Sequence, residues 1–497
     1  MRLTIASRRS ELARVQAYQV GDALQTVHPQ LEIKYSFHES LGDRNQNDPL
    51  WKMPEKGVFT QDFREGLLKG DFDLVVHSWK DLAIDDDLET EIVATLPRAD
   101  ARDLLLVRAD RWPEVERTGM MSILTSSPRR AYNLDSFLRS ALPARLTDLN
   151  FIDVRGNVPT RVRKLFQTEV EGLIVAKAAL DRLLEAKQEE FTATQAELRS
   201  ALSRCRWMVL PLSANPAAPA QGALAIEIVR QRNEVRELVA PINCAETFLA
   251  VAREREILRS YGGGCHQKIG VSVLSRPFGE ITSLRGLTDD GETLNGWALQ
   301  PSQRRPARVS KEKMWPVESS DGDWFTREYL PIEPSDEATA LWLAKADALP
   351  NDWHVRAEQI VWVSGRQSWK RLAQRGVWVN GSAESLGEHE PQRIETIAGS
   401  DLKWQKLTHS ESDTDSSMPV VATYRLIPKN GNPNLEGKKY FFWKSGSSFK
   451  YALSRNPWLE EMTHFCGPGN TERALRKQGI EPLVFLDHAQ WLEEMSL

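Results

Sequence analysis

Cysteine is scarce in this chain, with 4 among 497 residues. Cys205, Cys244, Cys265 and Cys466 are scattered and form no C-x-x-C pair, which argues against a disulfide framework and against a zinc site and fits a reducing cytoplasm. Long apolar runs are also missing. No stretch of about 18 apolar residues occurs, and the start, MRLTIASRRS, leads straight into a strand-like segment. Neither a membrane span nor a signal peptide is therefore expected. Charge of one sign is not in excess: 64 Lys and Arg face 69 Asp and Glu, a formal net charge of −5. General affinity for nucleic acid is not expected from such a balance. No fixed-period repeat is evident. Any anion site must come from local clusters.

What is present suits a multidomain globular protein. Hydrophobic residues make up 41% and charged ones 27%, and the length predicts three or four domains. In the first 95 residues, LTIAS and DLVVHS read as strands and ELARVQAYQVGDALQTV as an amphipathic helix. The polar, turn-rich GDRNQNDPLWKMPEKG between them reads as a mobile loop. A second α/β stretch follows, through MSILTSS, NFIDVRGNVPTRVRKLF and VEGLIVAKAALDRLLEA. RWMVLPL and ALAIEIV read as strands around a Pro/Ala-rich turn. A helix, AETFLAVAREREILRSY, then runs into a Gly-rich turn ending at Cys265, and a small α+β unit follows at 269–330. Eleven of the 16 tryptophans lie after residue 300. There IVWVSGRQSWKRLAQRG, YFFWKSGSSFKYAL and FCGPGNTERALRKQG each read strand–turn–helix, so a parallel sheet is expected.

Arginine is concentrated at strand ends. Arg8 and Arg9 follow the first strand, and Arg129 and Arg130 follow TSSP. Arg155 and Arg161 flank GNVPT, and Arg182 lies in LDRL. Ligands bind at the carboxyl ends of strands in α/β folds, where helix N-termini supply N–H donors. Forked guanidiniums match carboxylates. Ser10, Ser126 and Ser127 lie in the same turns. The pattern points to a multiply anionic ligand, polycarboxylate or phosphate.

Five motifs narrow the choice: VHSWKDL at 76–82, SSPRRAYNL at 126–134, VRGNVPTRVRKL at 154–165, APAQGALAIE at 218–227 and EREILRSYGGGC at 254–265. In this order and spacing they resemble the porphobilinogen deaminase (hydroxymethylbilane synthase) family over roughly residues 1–330. The resemblance implies two lobes like those of periplasmic binding proteins, 1–95 with 206–236 and 96–205, and a small α+β cofactor domain at 237–330. It implies that Cys265 carries dipyrromethane through a thioether. A thiolate suits attack on an electrophilic methylene pyrrole, and the glycines give the backbone a tight approach. It implies that Asp81 is the catalytic carboxylate, steadying the cation left when porphobilinogen loses ammonia. Loss of such a charge costs on the order of 10²–10³ in rate. A helix N-cap is the structural alternative for Asp81.

By the same resemblance Lys80, Ser127, Arg129, Arg130 and Arg161 hold the acetate and propionate groups of the cofactor. Arg8, Ser10, Arg155 and Arg182 meet the substrate and the growing chain, and Lys56 and Phe59 belong to a lid segment. The sequence departs from the family pattern at Pro54-Glu55 in the lid, at Leu124 and Pro128 around TSS, and at Ala220 and Lys268. After a linker at 331–354, residues 355–497 resemble, more weakly, part of the uroporphyrinogen-III synthase family, with Thr471 at its threonine position. About 140 residues suit one α/β lobe and part of a second. The expected protein is a cytoplasmic monomer acting on porphobilinogen, without nucleic acid, membrane or metal. The rival is an anion-binding or tetrapyrrole-binding two-lobe module without turnover.

Overall fold

The computed structural model describes residues 2–39, 61–84, 87–263, 267–318, 324–332, 337–412, 416–429 and 434–497. They form two compact units: 1–139, 144–275 and 282–297 in one, and 140–143, 276–281 and 298–497 in the other.

Two sheets of the N-terminal unit share one strand pattern. In the first, β1 (Arg2–Arg8), β2 (Glu32–His38), β3 (Leu74–Ser78), β4 (Thr90–Ala94) and β10 (Leu224–Val229) run in the order β2-β1-β3-β10-β4. β1 is parallel to β2 and β3, while β10 is antiparallel to both its neighbours. In the second, β5 (Asp103–Arg108), β6 (Met120–Leu124), β7 (Asp148–Ile152), β8 (Gly172–Ala176) and β9 (Cys205–Val209) run β7-β6-β8-β5-β9. Here β5 is the antiparallel insert. Both sheets therefore align three parallel strand ends at one edge, the geometry that opens a ligand crevice.

The helices that follow those strands position the site. α1 (Glu11–Val27) follows β1 and buries Ala13, Ala17, Val20 and Leu24 on one face. α2 (Gln61–Lys69) precedes β3. In the second lobe α3 (Pro128–Ala141), α4 (Val158–Gln167) and α5 (Lys177–Leu184) follow β6, β7 and β8. α6 (Ala245–Ser260) leads to a sheet ordered β11 (Gly270–Arg276), β12 (Gly279–Leu287), β13 (Thr293–Pro301).

The C-terminal unit holds two further sheets. One runs β15 (Phe325–Tyr329), β20 (Val420–Pro428), β19 (Trp404–His409), β16 (Ala340–Leu343), β17 (Ile360–Val363), β18 (Gly381–Ser382), parallel except for β15. The other is parallel, in the order β14 (Met314–Trp315), β21 (Tyr440–Trp443), β22 (Thr463–Cys466), β23 (Leu483–Val484). The late tryptophans fill these cores: Trp342, Trp362, Trp369, Trp443 and Trp491 are fully buried.

Three expected boundaries need correction. The return into lobe 1 is expected from residue 206, but residues 205–209 pair antiparallel with β5 in the second sheet. The stretch 314–329 was assigned to the cofactor domain, but its strands pair with residues 440–441 and 424–428. The expected linker at 331–354 contains β16, all four of whose residues are buried between β17 and β19. The PIEPSD composition suggested a break because proline and acidic residues mark loops, but the apolar ALWL just beyond it is a central strand. The extension is thus two sheets, not one lobe and a part. Among the described residues no helix is long and apolar enough to cross a membrane.

Candidate active site

At the first sheet's edge, β1 ends on Arg8, and Ser10 caps α1 by accepting from the Ala13 N–H at 3.4 Å. β3 ends at Ser78, whose hydroxyl meets the Gln16 amide at 2.8 Å. The chain then makes a short 3₁₀ turn over Trp79–Asp81. Asp81 is the last residue of that turn, so the N-cap alternative does not hold; Ser78 precedes the turn instead. Its carboxylate is 44% exposed and lies 3.9 Å from the Arg8 guanidinium. Arg8, Ser10, Gln16, Ser78 and Asp81 line one small cavity.

The second sheet contributes a buried fork. Pro128 opens α3, where a missing N–H costs nothing, so this departure is harmless. Leu124, the departure before TSS, is buried at the end of β6. Arg130 donates its backbone N–H to the Ser127 hydroxyl at 3.5 Å, a weak cap. Arg129 and Arg130 are 4% and 6% exposed, and each donates one terminal N–H to Asp103, at 2.8 and 2.7 Å. Arg129 also reaches the Asn215 side chain at 2.9 Å and the Pro216 carbonyl, and Arg130 the Ile174 carbonyl at 3.2 Å. Asn215 and Gln221 complete the shell of Asp103, each donating at 2.8 Å. Burial works to raise this carboxyl, but the two guanidiniums overcome it and hold it far below the carboxylate range. One anion thus aims two cations. The Nε of Arg130 is buried with no hydrogen-bond partner.

The remaining cations sit around this fork. Lys80 donates weakly to Gln221, at 3.4 Å. Burial pulls its ammonium down to about 8 against the attraction of Asp81, with Arg130 adding to the fall. Burial, then Arg130 and Arg155, lower Arg161 to about 10 while Asp81 opposes. Those causes place Lys80, Asp81, Arg130, Arg155 and Arg161 in one electrostatic neighbourhood. Arg161 also donates to the Gly156 carbonyl at 2.7 Å. Arg182 stands deeper: it is 7% exposed, donates to the Gly222 carbonyl at 2.7 Å, and is lowered to about 10 by burial. Lys56, Phe59, Pro54, Glu55 and Cys265 lie outside the described residues. Lys268, just past the cysteine turn, has its ammonium 5.9 Å from the Tyr132 ring.

Sequence reasoning missed the carboxylates that organise the site. Glu254 is fully buried and takes Arg98 at 2.7 and 2.9 Å, together with the Ala220 and Val273 N–H groups. Ala220 adopts φ 66°, a left-handed conformation that glycine holds more easily. Glu227 is 3% exposed, bonds His77 at 2.8 Å and accepts from Thr90 at 2.5 Å. The available signal was an acid in an apolar strand, as in DLLLVR or ALAIEIV, because such a group must find partners.

A family model described as "porphobilinogen deaminase, dipyromethane cofactor binding domain" matches residues 3–237. A porphobilinogen deaminase from Clostridium novyi (strain NT) is 30% identical over 296 residues, covering 59% of this chain and 91% of its own. One from Bordetella parapertussis is 31% identical over 339 residues, 67% of this chain and 98% of the relative. One from Roseiflexus sp. is 34% identical over 300 residues, 59% and 88% respectively. A uroporphyrinogen-III synthetase structure from Helicobacter pylori 26695 covers 34% of this chain and 88% of its own at 15% identity and a TM-score of 0.25, a likeness too slight to build on. These alignments take in 59–67% of this chain and 88–98% of the relatives, and the chain belongs to the porphobilinogen deaminase family.

Proposed function

We propose that the chain is a hydroxymethylbilane synthase, a transferase joining four porphobilinogen units into a linear tetrapyrrole with loss of ammonia. The observation that carries the reading is one exposed carboxylate, Asp81, 3.9 Å from Arg8 at the end of β1 and acting electrostatically on the buried Lys80 and Arg161. The dipyrromethane named by the family model fits these residues. Its acetate and propionate arms are anions, and the site offers cations: Lys80 and Arg161 are held below their ordinary values by burial and by Arg130, and Arg130 has a buried N–H to give. When bound through Cys265, the group supplies the primer on which chain growth starts.

The residues then divide the work. Arg130, Lys80 and Arg161 take the carboxylates of the primer, with Arg129 bracing Asp103 from beside them and Ser127 at the helix entry. Arg8, Ser10, Arg155 and Arg182 receive substrate and growing chain. Asp81 sits where positive charge develops as ammonia leaves; a fixed carboxylate lowers that barrier and can hold the pyrrole N–H. Cysteine usage and the ordinary surface charge support a cytoplasmic monomer. Intact mass tests the reading: the purified chain should carry a two-pyrrole adduct that Cys265→Ser lacks. A mass equal to the bare sequence overturns it.

The C-terminal unit supports a second activity, the cyclisation carried out by uroporphyrinogen-III synthases. Its two sheets place Ser364-Gly365 before α7 (Arg366–Gln374) and Ser445 before α8 (Gly446–Arg455), turns whose N–H groups suit carboxylates. His409, at the end of β19, approaches the Ser447 hydroxyl at 3.4 Å. Thr471 stands near the start of a short helix, α9 (Asn470–Arg476). Given porphobilinogen and no added synthase, the active unit yields type III product; type I alone makes it an appendage.

A further inference from the structure

α6 presents one face to the segment that carries Asp81. Phe248 packs edge-on against Trp79 at 5.1 Å. One helical turn later Val251 shares a cluster with Trp79 and Leu82. Another turn on, Arg255 donates to the Leu82 carbonyl at 3.3 Å and to the Ala83 carbonyl. Leu258 packs in a cluster with Ile84, and Arg259 donates to the Ile84 carbonyl at 2.6 Å. Beyond the helix, a side chain added at Gly263 would stand 3.0 Å from the Ile84 side chain. Positions 248, 251, 255, 258 and 259 lie on one stripe of a 3.6-residue helix, and they meet residues 79 to 84 in matching order. Glu254 fastens the same helix to β11, on the far side of the cysteine turn, through the Val273 N–H at 2.9 Å.

We infer that α6 is a rail that holds the Asp81 segment in place, with Arg255 and Arg259 as positioning residues. The inference rests on the proposed roles of Cys265 and Asp81. A loop just after a catalytic turn has few bonds of its own; two guanidiniums gripping three successive carbonyls remove its freedom. The carboxylate then keeps one position at every addition. Reacting groups held in place gain rate without tighter binding.

The test uses full-length Arg255→Gln/Arg259→Gln beside wild type, Asp81→Asn and Cys265→Ser. The double variant is expected to retain the covalent adduct by intact mass and to show a KM within about twofold of wild type. Its kcat should fall about 10- to 100-fold, and amide exchange at Leu82–Ile84 should quicken. An unchanged kcat in the adduct-bearing double variant overturns the inference, as does unchanged exchange. Should that variant fail to fold, Arg255→Lys keeps the charge but not the fork, and should lose kcat at constant KM; full kcat with Lys overturns the inference equally. If Cys265→Ser keeps the adduct, or Asp81→Asn keeps the wild-type rate, the underlying assignment fails first and is identified as the cause.

Discussion

The N-terminal unit and the C-terminal unit both bury basic side chains, but they do so to different ends. In the first, Asp103 is shared by Arg129 and Arg130 while Lys80, Arg155 and Arg161 crowd the same neighbourhood, so cation exceeds anion. In the second, fully buried Lys406 is paired with Glu388, which also takes Asn470 at 3.2 Å and Arg473 at 3.1 Å. That cluster closes on itself, joining β19 to the helix after β22. Buried charge alone therefore does not mark a site. Cations gathered at strand ends around one shared counter-ion do.

The largest expected effect follows from that contrast. Asp103→Ala leaves two buried guanidiniums facing no carboxylate and should cost about 3–5 kcal/mol in denaturant unfolding, with loss of adduct loading. Glu388→Ala should weaken the C-terminal unit but leave porphobilinogen consumption unchanged. Equal loss of consumption in both variants would erase the distinction. Next, Asp81→Asn should lower kcat by about 10²–10³ with Tm unmoved, because its side chain is 44% exposed.

Titration separates the units further. Lys80 is held at about 8, below its ordinary 10.5. The folded chain therefore binds fewer protons than the unfolded one between those values, and this group's contribution to stability rises with pH across that window. Burial holds His409 at about 4, below its ordinary 6.5, with Lys345, Lys406 and Lys450 adding to the fall. Its contribution is lost as pH drops from 6.5 toward 4. Stability–pH curves of Lys80→Met and His409→Gln should each flatten in one window and leave the other intact; a crossed pattern refutes the assignments. The smallest effect is at the turn between the sheets. Ala220→Gly relieves the φ of 66° and should stabilise by about 0.5–1 kcal/mol, read from the denaturation midpoint.

Much of this was legible from residues alone. Alternating strand and helix patterns located the sheets of the N-terminal unit, and Arg8, Arg129, Arg130 and Arg155 lie at the ends of β1, β6 and β7. What stayed hidden was pairing across long sequence distances. That Asp103 faces residues 129, 130, 215 and 221, or that residues 314–315 extend a sheet begun at 440, depends on strand order, which local periodicity does not encode. The short ALWL strand was lost beside a proline-rich turn for the same reason. Two-residue strands such as Met314–Trp315 carry no periodic signal at all.

The most direct test is the intact mass of the chain as purified, set beside Cys265→Ser. The account predicts wild-type protein heavier than its sequence by a two-pyrrole group and the serine variant at its bare mass. Two bare masses, or an adduct surviving the serine substitution, would contradict it.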